Sequence, residues 1–294
     1  MREHIFKGVG TALLTPFTET GVDYEAFRRL LDFQIENGVD ALIVAGTTGE
    51  SAALTPEEHR ELIACAVKHT GGRVPVIAGT GANNTDAAIR KTKMACDEGA
   101  DAVLLVTPYY NKTTQRGLIA HYTAIADASS VPCILYNVPS RTGLNLLPET
   151  AAVLADHPRI AAVKESSGNI SQIAKLFRLC GDKIDVYSGD DGQTVPILSL
   201  GGAGLISVAS NVLPRQVSRM CDLWFEGDAA GAARMQLKLL DVMNQLMIET
   251  NPIPVKAAGA RIGLCEERLR LPLVPMEDGN REKLFRMLEE AEKE

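Results

Sequence analysis

Ile160-Ala161-Ala162-Val163-Lys164-Glu165-Ser166-Ser167-Gly168 reads as a short apolar strand that runs into a polar loop, with a lysine where the strand gives out. Seven further runs have the same form: Val9 to Pro16, Ala41 to Gly46, Val74 to Gly79, Ala102 to Thr107, Cys133 to Val138, Ile184 to Ser188 and Gly204 to Ala209. Short, nearly continuous apolar runs suit parallel strands, which are covered on both faces. Amphipathic segments with helix start signals lie between them. In Thr55-Pro56-Glu57-Glu58, Thr55 can cap, Pro56 suits the first turn and Glu58 completes a capping box. Asp23 and Thr85 are expected to open the helices on either side. Eight β/α repeats within about 220 residues predict an α/β fold, a (β/α)8 TIM barrel rather than an open doubly wound sheet. After about Trp224 the pattern is helical only, over Asp228 to Ile248, Pro252 to Leu264 and Asp278 to Glu292. The expected division is a barrel over residues 1–225 and a small all-helical domain over residues 226–294.

Composition narrows the function classes. In 294 residues, 46% hydrophobic content against 23% charged allows a large core. A net charge of -7 without any basic run argues against nucleic acid or an anionic membrane as partner, so an anionic ligand must be met by local positive groups. No apolar run approaches the roughly 18 residues of a membrane span, and Met1 to Gly8 holds no apolar signal core, so a cytoplasmic location is expected. Cys65, Cys96, Cys133, Cys180, Cys221 and Cys265 are scattered singly, as buried thiols in a reducing compartment would be. The five histidines are equally dispersed and no metal site is expected.

Barrel enzymes carry their chemistry at the carboxyl ends of the strands. The unusual polar residues of this chain fall there: Gly46-Thr47-Thr48-Gly49 after the second run, Tyr109-Tyr110 after the fourth, Tyr136 to Arg141 at the fifth, Ser188-Gly189-Asp190-Asp191 at the seventh and Ile206-Ser207 in the eighth. An unperturbed lysine has a pKa of about 10.4, which leaves roughly one amine in a few thousand neutral at pH 7. Burial can lower that pKa by several units and make the amine a nucleophile toward a carbonyl. The plain alternative for Lys164 is a side chain that snorkels to solvent or pairs with Glu165. Strand alternation puts Ile134, Tyr136 and Val138 on one face, and Ile160, Ala162, Lys164 and Ser166 on one face of the next strand. Tyr136 can then meet Lys164 and shuttle the protons of imine formation, or serve only as a core aromatic. Thr47 could link it to Tyr110, or be only a turn residue. Backbone N–H groups of residues 46–49 can hold a carboxylate, and Arg141 can grip a second one. No glycine motif here has dinucleotide spacing, and Gly201-Gly202-Ala203-Gly204 reads as a close-packing device.

With these residues in place the chain resembles the dihydrodipicolinate synthase family of pyruvate-dependent Schiff-base aldolases and lyases. The resemblance spans nearly the whole chain and rests on GTTGES at 46–51, TPYYNK at 107–112, YNVPSRTG at 136–143, VKES at 163–166 and NPIPVK at 251–256. It implies that Lys164 condenses with pyruvate and that the resulting enamine attacks L-aspartate 4-semialdehyde, without a cofactor. It implies Tyr136 as proton carrier, with Thr47 and Tyr110 completing a relay in which Tyr110 reaches a neighbouring subunit. Thr48, Gly189 and Ile206 would hold the pyruvate end and Arg141 the semialdehyde carboxylate, in a homotetramer built as a dimer of dimers. N-acetylneuraminate lyase and the 2-keto-3-deoxy sugar-acid or 4-hydroxy-2-oxoglutarate aldolases share the lysine and tyrosine. Arg141 in its S-R-T-G context and the 251–256 stretch favour the synthase. A noncatalytic keto-acid sensor is the remaining alternative.

In lysine-sensitive relatives the feedback site uses positions that match Ser51, Ala52, His59, Asn83 and Tyr109, together with a histidine and a glutamate that are Pro56 and Ala87 here. The missing carboxylate would have paired the inhibitor's ammonium. Titrating activity with L-lysine is therefore expected to show weak inhibition or none, and strong, saturable inhibition would refute the assignment.

Overall fold

A computed structural model describes residues 4–292. Met1 to Glu3, part of the segment read as lacking a signal core, lie outside the described residues, as do Lys293 and Glu294 of the predicted helical domain. The strands are β1 (Gly8–Ala12), β2 (Ala41–Val44), β3 (Val76–Gly79), β4 (Ala102–Val106), β5 (Cys133–Asn137), β6 (Ile160–Glu165), β7 (Asp185–Ser188) and β8 (Gly204–Ser207). Each pairs in parallel with the next, and β8 closes on β1 through Gly8↔Gly204 to Thr11↔Ser207, giving the predicted barrel. Gly204 is needed at that closure: it sits at φ +158, and a Cβ there would lie 2.0 Å from the carbonyl oxygen of Gly8. The 201–204 segment thus packs β8 against β1, as its glycines suggested.

Side-chain alternation divides the apolar residues into two cores. The inner one fills the barrel with Ile43, Ile77, Leu104, Ile134, Ala162 and Ile206 among others, and Phe6 stacks on Tyr187 at its amino-terminal end with ring centroids 4.3 Å apart. The outer core lies between sheet and helices. Six of the predicted runs extend past the observed carboxyl ends of their strands. Hydrogen bonding to a parallel neighbour stops where the backbone turns, as at Ala45 (φ 54) and at Val208, which is already helical.

The helix signals are mostly realised. The Thr55 hydroxyl accepts from Glu58 N at 3.1 Å and Glu58 Oε2 from Thr55 N at 3.0 Å, completing the capping box. Asp23 caps helix Tyr24–Glu36. Thr85 does not cap the helix it starts: Asn84 accepts from Ala87 N at 2.9 Å, while the Thr85 hydroxyl meets His121 Nδ1. Of the cysteines, Cys133, Cys180 and Cys221 are buried, but Cys65, Cys96 and Cys265 are half-buried, so the expectation of uniformly buried thiols is corrected.

Beyond β8, helix Pro214–Phe225 completes the ring. Helix Ala229–Gln245 is shorter than the run 228–248 at both ends, with Asp228 and Leu246 as its caps, and it packs on Pro214–Phe225 and on Asp278–Glu292. Helix Ile253–Arg261 carries Lys256, which is fully buried. The Lys256 Nζ pairs with Glu50 Oε1 at 2.8 Å and donates to the carbonyls of Thr15 at 2.6 Å and Arg268 at 3.2 Å. The other Glu50 oxygen accepts from Arg270 N at 3.0 Å. One ammonium thereby ties the loops after β1 and β2 to the carboxyl-terminal helices.

Removing one member of a buried ion pair strands the other charge, at about 3–5 kcal/mol. Lys256→Met is expected to lower the urea midpoint accordingly. An unchanged midpoint would show that this ion pair contributes little.

Candidate active site

A cavity of about 250 Å³ opens at the carboxyl ends of the strands, lined by Thr47, Thr48, Tyr136, Arg141, Lys164, Gly189 and Asp191 among others. Six of the eight residues expected to form a site therefore share one cavity. Ile206 is buried in the inner core beside it and does not line it. Tyr110 is 89% exposed, holds a left-handed φ of 69° and does not line it either. The proposed Thr47–Tyr110 relay is not assembled within one chain.

Lys164 points into the cavity because of register. Tyr136 pairs with Lys164 across β5 and β6, so both side chains emerge on the inner face at one level. The Lys164 Nζ lies over the Tyr136 ring, 4.3 Å from its centroid. Glu165, one residue on, must face outward. It is buried there, accepting from Asn137 Nδ2 at 3.0 Å and from Ser167 N at 2.6 Å. That geometry removes the Lys164–Glu165 pair as an alternative. The sequence reading also needs one correction: Cys133 pairs with Ile160 but Ile134 with Ala162, so a bulge at Ala161 turns Ile160 outward into the outer core. Only from Ala162 onward does the expected alternation hold.

The ladder continues past the strands, with Ser166 N donating to Asn137 O at 2.8 Å and Gly189 N to Glu165 O at 2.8 Å. Gly189 then passes so close to the lysine that a Cβ would lie 2.0 Å from Ser166 Oγ and 2.8 Å from Lys164 Cε. No side chain fits at this position without displacing the amine.

Electrostatically the site favours a neutral amine. Burial pushes the Lys164 pKa down to about 8, the Arg141 guanidinium adds to the fall, and Asp191 opposes both. Burial raises the Tyr136 phenol, keeping it protonated. Asp191 was quoted at a strand end without a role, and the structure places it in the same cavity as Lys164, whose charged form it favours. Its carboxylate is buried and accepts from the Ser207 hydroxyl, from Val208 N at 3.0 Å and from Ala209 N at 3.3 Å. Sequence spacing offers no signal for this, because the donors come from the end of β8 and the turn after it.

The carboxyl-terminal helices complete the rim with Met243, Asn244, Met247 and Asn251. Asn251 Nδ2 donates to Thr48 Oγ1 at 3.0 Å, and Arg141 Nη2 to the Asn251 carbonyl at 3.4 Å. A neighbouring cavity of about 390 Å³ contains Ser51, Ala52, Tyr109 and Lys91, but His59, Asn83, Pro56 and Ala87 do not line it. Among the described residues no cluster of His, Cys, Asp or Glu is placed to hold a metal ion.

A model of the dihydrodipicolinate synthetase family matches residues 5–291. The chain is 53% identical over 276 residues to a 4-hydroxy-tetrahydrodipicolinate synthase of Clostridium perfringens, covering 94% of this chain and 95% of that one. It is 52% identical over 277 residues to the enzyme of the same name from Pelobacter propionicus, covering 94% and 96%. The crystal structure of dihydrodipicolinate synthase from Thermotoga maritima superposes with a TM-score of 0.97 at 44% identity, covering 98% of this chain and 99% of that one.

With its pKa lowered, Lys164 is mostly charged below about pH 8 and mostly neutral above it. After reductive methylation with labelled formaldehyde, its NMR signal is expected to titrate near 8, apart from exposed lysines; a midpoint near the ordinary 10.5 would contradict the burial argument.

Proposed function

The chain belongs to the dihydrodipicolinate synthetase family, and on that premise we propose that it condenses pyruvate with L-aspartate 4-semialdehyde on Lys164, giving 4-hydroxy-tetrahydrodipicolinate for diaminopimelate and lysine biosynthesis. It is an enzyme of the lyase class. The observation that carries the reading is an amine buried inside the barrel mouth, over a phenol, with its pKa lowered by burial.

The Lys164 lone pair attacks the ketone carbon of pyruvate, and loss of water from the carbinolamine leaves an iminium. Tyr136, kept protonated by burial, supplies the proton that water needs to leave and takes it back in the reverse step. The iminium draws electrons from the adjacent methyl group, which gives up a proton to the Tyr136 oxygen to form an enamine. The enamine carbon attacks the aldehyde of the semialdehyde, whose oxygen takes up that proton and becomes the hydroxyl, and the iminium is restored. The semialdehyde's amino group then displaces Lys164 from the imine carbon, which closes the ring and frees the lysine. Thr48 and the backbone at Gly189, which line the cavity, hold the pyruvate carboxylate, and Arg141, exposed at the rim, takes that of the semialdehyde. Thr47 belongs to the proton path. This chemistry draws on protein groups alone.

Tyr110 fits the same scheme only from another subunit. Its ring projects outward from a left-handed turn and leaves its own cavity untouched. A homotetramer in which Tyr110 completes the neighbour's Tyr136–Thr47 path accounts for that exposure. No helix among the described residues is long and apolar enough to cross a membrane, and we place the reaction in the cytoplasm.

Borohydride reduction in the presence of pyruvate is expected to trap an adduct on the peptide carrying Lys164. Lys164→Ala should abolish the adduct and lower turnover by at least about a thousand-fold. Turnover at the parent rate in that variant would sink the mechanism.

A further inference from the structure

Asn251 opens the segment 251–256, whose other notable member, Lys256, is structural. Asn251 is 5% exposed, lines the Lys164 cavity, and reaches across 203 positions of sequence to Thr48. Its amide nitrogen donates to Thr48 Oγ1 at 3.0 Å, its carbonyl accepts from Arg141 Nη2 at 3.4 Å, and its side-chain oxygen is buried without a partner. That unpartnered oxygen costs stability, so fold stability is a poor reason for the amide to be there.

An amide N–H donates and cannot accept, whereas a threonine hydroxyl has one proton and two lone pairs. With one lone pair occupied by Asn251, the Thr48 proton has no use on that side and turns elsewhere. Thr48 itself lines the cavity, where its proton, left free by Asn251, can be donated to an anion. The same residue's backbone carbonyl holds the guanidinium of Arg141 at the rim. One residue is thus in contact with the groups that receive both carboxylates.

We propose that Asn251 is a positioning residue for the condensation: its amide turns the Thr48 hydroxyl into a fixed donor toward the keto-acid carboxylate, and its carbonyl sets Arg141 for the second substrate. The proposal rests on the synthase reading and adds a residue outside the barrel strands to it.

The test is a double-mutant cycle read as the pyruvate concentration that half-saturates borohydride trapping on Lys164. Asn251→Ala and Thr48→Val are each expected to raise it about ten-fold, the effect of one hydrogen bond to a charged group. The double variant should be no worse than Thr48→Val alone, because Asn251 acts through that hydroxyl. A half-saturating concentration unchanged in Asn251→Ala, or effects that multiply in the double variant, would overturn the proposal. Asn251→Asp keeps the size of the side chain should the alanine variant not fold. Its carboxylate can only accept, so it would capture the Thr48 proton and raise the concentration further; no change there overturns the proposal equally. If the parent protein traps no pyruvate at all, it is the synthase reading that fails. If the parent traps and the variants match it, the role of Asn251 alone fails.

Discussion

Taking an ammonium out of water is the constraint around which this molecule is arranged, and it is met twice with opposite results. Lys256 and Lys164 are both buried, and burial presses both pKa values down. At Lys256 a carboxylate at 2.8 Å and two carbonyls answer the charge, which makes the lysine a cross-link. At Lys164 no ion pair is formed among the described residues, and the opposing charge is the Asp191 carboxylate, itself committed to three donors at the end of β8 and in the turn after it. The amine gives up its proton more easily instead of gaining a partner. Structure and chemistry are thereby divided between two lysines of the same type.

The site depends on the first lysine as well as the second. Glu50 and Lys256 bring the segment after helix Ala229–Gln245 down onto the loop after β2. Asn251, five residues before Lys256, then reaches Thr48, three positions beyond Ala45, where the strand has turned. The helices beyond the barrel are in this sense the upper wall of the cavity, and fixing them fixes the rotamers of the groups that face an anion. A barrel of short strands leaves its mouth open, and something must limit water there if the pKa of a buried amine is to stay low.

Much of this was legible in the chain. Eight apolar runs spaced by amphipathic segments carry the barrel because short continuous apolar runs and β/α alternation are local properties. Thr55 and Glu58 carry their helix start, since a capping box needs only residues three apart. Asn84 and Thr85 show the limit: both are good caps, and only the competing bond from Thr85 to His121 decides between them. The bulge at Ala161 was likewise invisible, because a one-residue slip leaves the apolar pattern of Ile160 to Val163 intact while reversing the face of Ile160.

The sequence alone determined that a lysine stands at a strand end among glycines, hydroxyls and an arginine, and that parity sets it beside Tyr136. Only the tertiary structure decided that Lys164 is buried, that Glu165 faces away from it, that Asp191 and Asn251 line its cavity and that Tyr110 does not. The physical reason is distance along the chain: solvation and hydrogen-bond direction depend on neighbours tens to hundreds of residues removed, which closure of the barrel brings together.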